Sequence, residues 1–320
     1  MSAKLILSHP KGSRLLSGVR SRKACTRFRN SEKQEEMSNC LPAFYSMLGH
    51  HAFAIGTKAW QLIRWDRVIS SVKSLQSRIV KAVQAGKWRK VKALQRILSR
   101  SYAAKLLAVR RVTENSGQRT AGIDRQIWDT PQAKFEAVAH LQSRGYKAKA
   151  VRRIYIPKSN GSKRPLGIPT MSDRAMQALH LLTLDPISET LADANSYGFR
   201  SHRCCADAIA RCFDMLAKKD APRWILEGDI KGCFDNISHQ WMLQNIPLDQ
   251  RMLRQWLKAG YFEKQTFFPS ESGSPQGAII SPAWPIWCWM VCNKPLTRQV
   301  TLNTGAARNP NGASIPTTST

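Results

Sequence analysis

The chain has 320 residues, of which 42% are hydrophobic, so it can bury a core in one large domain or in two smaller ones. Fifty lysines and arginines against 21 acidic residues give a formal charge of +29, which favours a polyanionic partner, with nucleic acid first. A ribosomal or membrane-surface protein with a solvated positive face is the alternative that this charge leaves open.

The cysteines and the apolar runs exclude several other classes of protein. The eight cysteines form no CxxC pair and have no spacing to histidine that suits zinc, so we expect reduced thiols in an intracellular protein. No apolar run reaches the roughly 20 residues that a membrane helix needs. The N-terminal basic residues are not followed by the apolar core of a secretory signal. We therefore expect no membrane partner.

The N-terminal segment is basic and shows no sustained hydrophobic periodicity. Residues 1–40 carry nine lysines and arginines and three glutamates, a composition that predicts a disordered arm, which we extend over residues 1–56. The alternative is that this segment lies upstream of a later true start, for instance at Met37.

A helical and strongly basic region follows, and we place it at residues 57–125. Apolar residues recur at helical spacing on both sides of a break at "QAGKW", which predicts a helical hairpin. Residues 60–119 hold 15 lysines and arginines, with Asp66 and Glu114 as the acids. Such one-sided charge favours phosphate binding over a merely solvated face. The candidate RNA-binding residues are Lys87, Arg89, Lys90, Lys92, Arg96, Arg110 and Arg111.

The next segments predict a hairpin and two helices. Val151 to Thr170 alternates and turns at "SNGS", which is typical of a β-hairpin that presents Lys158, Lys163 and Arg164. Residues 171–193 then have helical periodicity, with Pro186 at a kink or boundary, and residues 206–218 predict another helix.

Asp229 follows a short apolar run and is predicted to stand at the C-terminal end of a strand. A carboxylate in that place can hold a divalent metal ion, although an aspartate there is more often a helix or turn cap. The later "GSPQG" is, taken alone, compatible with an ordinary loop.

Five segments in this order resemble the reverse transcriptase/maturase proteins encoded by group II introns. The resemblance runs from about residue 60 to residue 282 and is carried by "TAGID", "IPKSNGSKRPLGIPTMSDRAMQAL", "SYGFR", "EGDIKGCFDNISH" and "GSPQGAIISP". It implies an α+β fold, with the fingers and a partial palm of a right-hand polymerase at residues 126–283 behind a helical N-terminal extension. It also implies RNA-directed DNA polymerisation on an RNA template and a DNA primer, binding of group II intron RNA, and a bacterial cytoplasmic or organellar location.

The resemblance also assigns roles to individual residues. Asp229 resembles the first metal-binding aspartate of the palm, and Mg²⁺ prefers such hard oxygen ligands. Phe234 resembles the residue that packs against the incoming sugar, and Gln276 the one that contacts the incoming nucleotide. Lys158 and Arg164 resemble the finger residues that hold the triphosphate, a task suited to their charge.

The sequence departs from the family pattern at the catalytic acids. The family holds two Mg²⁺ ions with three aspartates, two of them from a Tyr-x-Asp-Asp hairpin that follows "SPQG". This chain contains no Asp-Asp pair, and its last acid is Glu271. Asp235 is expected to be structural, because an alternating strand would direct it away from Asp229. We therefore expect little or no polymerase activity. "SHRCC", from Ser201, also replaces the turn that is usual after "GFR".

The tryptophan-rich stretch near residue 284 suggests a reason for the departure. Because Trp and Met have unique codons, the codons after Ala283 can be read one base out of frame, and they then give the Leu-Ala-Asn-like segment that the family has there. We infer a frame change near Ala283 and a disordered out-of-frame tail over residues 284–320. The chain would then be a truncated fragment. A non-enzymatic RNA-binding module and a non-functional pseudogene product are the alternatives.

Overall fold

The computed structural model describes residues 3–8 and 59–288, except residues 158, 160, 222, 223 and 231. For residues 3–8, 226, 229 and 230 it describes the backbone alone. Most of the predicted arm and residues 289–320 of the predicted tail lie outside these residues. Within the described part of the chain, no helix combines the length and the apolar character that crossing a membrane requires.

Helices are the commonest regular elements of the described chain. They are α1 (Trp65–Gln84), α2 (Trp88–Arg100), α3 (Tyr102–Thr113), α4 (Pro131–His140), α5 (Met171–Leu191), α6 (Cys205–Leu216), α7 (Cys233–Asn236), α8 (His239–Asn245) and α9 (Gln250–Leu257). The strands are β1 (Ala3–Ser8), β2 (Val151–Pro157), β3 (Lys163–Ile168), β4 (Ile225–Ile230), β5 (Tyr261–Glu263) and β6 (Thr266–Phe268).

The strands form two small sheets. The first has the order β3-β2-β5-β6, with β2 antiparallel to β3 and parallel to β5, and the second pairs β1 with β4. The β-hairpin predicted over Val151–Thr170 is therefore confirmed as β2 and β3. The combination of a helical N-terminal region with these sheets confirms the predicted α+β class.

The predicted helical hairpin consists of three helices. The expected break is present, because Gly86 has a φ of +64°, and the amide of Lys87 donates to the carbonyl of Ala82 as in a Schellman ending. A second break at Ser101, which is extended at φ −63° and ψ 132°, divides the remainder into α2 and α3. Hydrophobic spacing does not reveal such a break, since the apolar stripe continues across it.

One hydrophobic core joins the N-terminal helices to α5. Helices α1, α2 and α3 pack against α5, and their buried apolar residues belong to the same cluster as its own. The Thr170 side chain caps α5 by accepting from the amide of Asp173 at 3.1 Å. Pro186 does not end this helix, which continues to Leu191.

Residues 3–8 of the predicted arm form a strand that has a regular partner. Strand β1 is antiparallel to β4, and its register sets Lys4 opposite Asp229. The expectation of disorder is therefore wrong for β1. The physical reason is local, because Leu5, Ile6 and Leu7 form an apolar run with strand propensity inside an otherwise basic segment.

The start of the predicted tail is also ordered. Residues 283–288 are helical, and Trp284 is 1% exposed. Its indole Nε1 donates to Ser274 Oγ at 2.9 Å, and the Nε1 of Trp287 donates to Ser188 Oγ at 2.8 Å. The prediction of a disordered tail is wrong for these residues, because two large rings with satisfied indole nitrogens bury substantial apolar area.

Candidate nucleotide site and nucleic-acid interface

The "GSPQG" loop is anchored to the segment that carries Phe234. The amide of Ser274 donates to the carbonyl of Phe234 at 2.7 Å, and the amide of Gly273 donates to the carbonyl of Ile237 at 2.9 Å. Gly273 has a φ of +73°, and a Cβ there would lie 2.6 Å from the Phe234 carbonyl oxygen. Only glycine permits this close approach, so two segments that are far apart in sequence meet at one place.

The same loop also contacts the fingers strand β3. Arg164 Nε donates to Gln276 Oε1 at 2.6 Å, and the amide of Gly167 donates to the carbonyl of Gln276 at 2.7 Å. Two of the predicted nucleotide-binding side chains are thus in direct contact. Both retain access to solvent, since Arg164 is exposed and Gln276 is half-buried.

Phe234 lies on the short helix α7. Its ring meets the ring of Phe199 edge-on, with centroids 6.3 Å apart and planes at 87°. Phe199 is 64% exposed and has a φ of +60°, an uncommon conformation for a bulky residue. The structure therefore places the "SYGFR" segment beside Phe234.

Arg200 holds the "SYGFR" segment in place, a role that sequence reasoning missed. Its guanidinium donates to both carboxylate oxygens of Glu189, at 2.8 and 2.6 Å, and Arg203 pairs with the same carboxylate at 2.7 Å. Partial burial acts to raise the pKa of the Glu189 carboxyl, but the hydrogen bonds from these two arginines outweigh burial and lower that pKa. Arg203 belongs to the "SHRCC" segment, which replaces the turn that the resemblance leads us to expect. This segment therefore contributes an ion pair with Glu189.

The remaining predicted site residues are only partly placed. Asp229 lies in β4, one residue from its end, as predicted, and its side chain is not described. Lys158 lies outside the described residues. Asp235 lies on helix α7 and is exposed, so our expectation that it sits on an alternating strand is wrong. The "GCFDN" segment turns into a helix at Gly232, whose φ is +61°.

The described residues contain no complete metal centre. Among the described residues no group of three histidine, cysteine, aspartate or glutamate side chains is arranged to hold a metal ion. The sequence contains Asp229 and no Asp-Asp pair. One carboxylate can share in holding a divalent ion, but it does not fix two ions at the spacing that phosphoryl transfer uses.

The predicted RNA-binding residues divide into two groups. Six of them are exposed and make no ion pair within the described part of the chain, and we call this set the basic face: Lys87, Arg89, Lys90, Lys92, Arg96 and Arg111. Arg110 differs, because it pairs with Glu114 at 2.7 Å and its guanidinium lies 4.4 Å from the centroid of the Trp65 ring. Its charge is already partly engaged, so it is a weaker candidate for RNA than the other six.

Comparison with known protein families defines the class of the chain. The family model for the N-terminal domain of reverse transcriptase matches residues 60–141, and the model for reverse transcriptase (RNA-dependent DNA polymerase) matches residues 156–302. The chain therefore has an N-terminal helical domain followed by the fingers and partial palm of a reverse transcriptase. The second match runs past Ala283, the expected point of a frame change, so the frame change stays a prediction for the nucleotide sequence to test.

Curated relatives narrow the class to one family. The chain is 37% identical over 188 residues to the group II intron-encoded protein LtrA of Lactococcus lactis, a match that covers 55% of this chain and 30% of the relative. It is 34% identical over 188 residues to protein YkfC of Escherichia coli, covering 55% of this chain and 49% of the relative. A putative COX1/OXI3 intron 1 protein of Saccharomyces cerevisiae is 29% identical over 203 residues, covering 60% of this chain and 23% of the relative.

These matches agree with the segments that first suggested the resemblance. The chain belongs to the group II intron reverse transcriptase/maturase family. It spans less than half the length of these curated relatives.

Proposed function

We propose that this chain binds group II intron RNA, or another structured RNA, through its basic face and has little or no polymerase activity of its own. The observation that carries the proposal is the basic face itself, six exposed cations without ion pairs among the described residues. Cations that are not neutralised within the protein are available to phosphates, and their release of counterions drives binding.

The packing of the helices supports this proposal. The opposite sides of α2 and α3 are buried in the core, with Leu98 and Val112 both at 0% exposure. The cations therefore project from a fixed frame, so less conformational entropy is lost when RNA binds. Recognition of an RNA helix rests largely on shape and on contacts to phosphates and 2′-hydroxyls, and it needs no metal ion.

A charge-neutralising variant tests RNA binding. Arg89→Gln, Lys90→Gln, Lys92→Gln and Arg96→Gln combined should weaken binding to a folded intron RNA by about a hundredfold and lower the salt slope by about four. The matched control is Arg144→Gln, Lys147→Gln, Lys218→Gln and Lys219→Gln, which removes four exposed cations elsewhere. Equal losses in both variants, or no loss in the first, would contradict a localised RNA interface.

We also propose a nucleotide site, which rests on the contacts among three residues. Arg164, Gln276 and Phe234 are brought to one loop junction, which supports a role in contacting an incoming nucleotide. By the family resemblance, Lys158 would contribute to triphosphate binding and Asp229 would hold Mg²⁺, which supplies charge stabilisation to the transferring phosphoryl group when it is bound. Because the chain lacks the Asp-Asp pair, we propose nucleotide contact without efficient phosphoryl transfer.

A further inference from the structure

Phe199 combines an exposed aromatic side chain with an uncommon backbone conformation. The residue is 64% exposed and its φ is +60°. Bulky residues rarely adopt this left-handed conformation, and an exposed ring gains little of the burial that would offset its cost. A strained conformation that a fold maintains is a reason to look for a function at that residue.

The next residue, Arg200, holds the backbone on which Phe199 lies. Its side chain is 3% exposed. The guanidinium donates to the carbonyls of Asp193 and Ser196 at 2.6 and 2.8 Å, and to the two carboxylate oxygens of Glu189 at 2.8 and 2.6 Å. Phe199 is therefore kept at the surface by a buried and hydrogen-bonded neighbour, since little of its own side chain is buried.

Phe234 is held at its backbone by one segment and contacted at its ring by another. The amide of Ser274 donates to the Phe234 carbonyl at 2.7 Å, which fixes the main chain. That hydrogen bond leaves the side chain free to choose among its rotamers. The ring meets the Phe199 ring edge-on, with centroids 6.3 Å apart, a favoured arrangement for two aromatic rings. The aromatic pair therefore restricts the direction in which the Phe234 ring points.

The pair of rings lies between the proposed nucleotide site and a cleft. Phe199 lines this cleft, of about 580 Å³, together with Glu189. On the other side, Ser274 joins Phe234 to the loop in which Gln276 accepts from Arg164 at 2.6 Å. A ring held in one position can reject an added hydroxyl by steric clash, whereas a ring that turns away loses that discrimination.

We propose that Phe199 is a positioning residue, which holds the Phe234 ring against the sugar of a bound nucleotide and so sets a preference for a 2′-deoxy sugar. The proposal rests on the proposed nucleotide site and adds to it a residue that acts through Phe234. The positive φ of Phe199 then has a role, because it allows the ring to meet Phe234 while Arg200 stays buried.

Nucleotide binding by variants of the full chain tests this role. Equilibrium dialysis with labelled dATP and with labelled ATP, each with Mg²⁺, gives the ratio of the two dissociation constants. We expect Phe199→Ala to lower the preference for dATP about fivefold, which corresponds to the loss of one aromatic contact. Phe199→Tyr, which keeps the ring, should retain the preference.

The matched control is Phe267→Ala. Phe267 is 50% exposed and its ring lies 5.5 Å from that of Phe262, so the variant removes an exposed member of another aromatic pair. It should leave the ratio of dissociation constants unchanged. Both alanine variants should melt close to the wild-type temperature, because both side chains are largely exposed.

A fluorine resonance at position 234 tests the positioning without a nucleotide. With 4-fluorophenylalanine in place of Phe234, the Phe199 ring current should shift the resonance, and Phe199→Ala should change that shift while Phe267→Ala preserves it. An unchanged resonance in Phe199→Ala would overturn the positioning of Phe234. An unchanged ratio of dissociation constants, or an equal change in the control, would overturn the role in sugar preference.

Failure of the proposed nucleotide site would give a different result. A wild-type chain that binds neither dATP nor ATP would count against that site and would remove the sugar preference with it. The fluorine resonance would still decide whether Phe199 positions Phe234, so the two failures are distinguishable.

Discussion

The N-terminal helices and the β4 region differ in how completely they are packed. Helices α1 to α3 bury one side in a core shared with α5, where Leu98 is 0% exposed. Helix α6, which precedes β4, has no buried residue and leaves Ile209 69% exposed and Phe213 55% exposed. Contiguous exposed apolar surface of this kind is unusual. The region proposed to bind RNA is therefore packed in a core that it shares with α5, whereas α6, which precedes the strand of Asp229, is only partly covered by the described residues.

Replacement of Trp284 tests whether residues 283–288 belong to the packed part of the molecule. Trp284→Ala removes a ring that is 1% exposed and leaves Ser274 without that donor, so we expect a loss of about 3 to 5 kcal/mol in the free energy of unfolding. Trp224→Ala, at a residue that is 70% exposed, is the control and should cost less than about 1 kcal/mol. Urea unfolding of both variants measures the difference. Equal small losses of stability would instead support the predicted disorder of this segment.

A pair of leucine substitutions sharpens the comparison directly. Leu98→Ala, in α2, should cost about 2 to 5 kcal/mol in the free energy of unfolding, because the residue is fully buried. Leu216→Ala, in α6, should cost about 0.5 kcal/mol or less, because that side chain is 43% exposed. Denaturant unfolding of both variants is the measurement. A large loss from Leu216→Ala would contradict the difference in packing between the two regions.

The pH dependence of Asp185 gives the smallest expected effect. Burial raises the pKa of this carboxyl to about 6, with Arg111 opposing the rise. Because the folded protein then binds more protons than the unfolded chain, the stability contributed by Asp185 is lost as pH rises from about 4 to about 6. Asp185→Asn should therefore stabilise the protein relative to wild type by about 1 kcal/mol or more above pH 6 and by little at pH 4. Thermal unfolding across this range measures it, and a constant difference would refute the shifted pKa.

The sequence predicted those parts of the fold that depend on local patterns. The break at Gly86, the β-hairpin of β2 and β3, and helices α5 and α6 follow from hydrophobic periodicity and turn residues. The break at Ser101 and the strand β5 were missed, because neither interrupts an apolar pattern strongly. Disorder was predicted for β1 and for residues 283–288 from composition and codon arguments, which do not include tertiary packing: Trp284 is held by Ser274, a residue of the "GSPQG" loop.

The candidate site shows the same limit. The family resemblance predicted that Arg164, Gln276 and Phe234 contact the incoming nucleotide. The structure brings the first two into direct contact. The role of Arg200 could not be read from spacing, because it depends on Glu189 and Arg203 meeting in space. The sequence shows the arginine of "SYGFR", but its partner Glu189 lies on another element, α5. The positive φ of Arg125, Lys264 and Gln265 left no sequence signal, since arginine, lysine and glutamine rarely have positive φ.

We propose that RNA binding and polymerisation are separated in this chain. The most direct measurement is primer extension with Mg²⁺ on an RNA template, at protein and salt concentrations where a gel-shift assay shows the template to be bound. We predict bound RNA with no nucleotide incorporation, and no change in that result for Asp229→Asn. Incorporation by the wild-type chain that Asp229→Asn abolishes would contradict the claim.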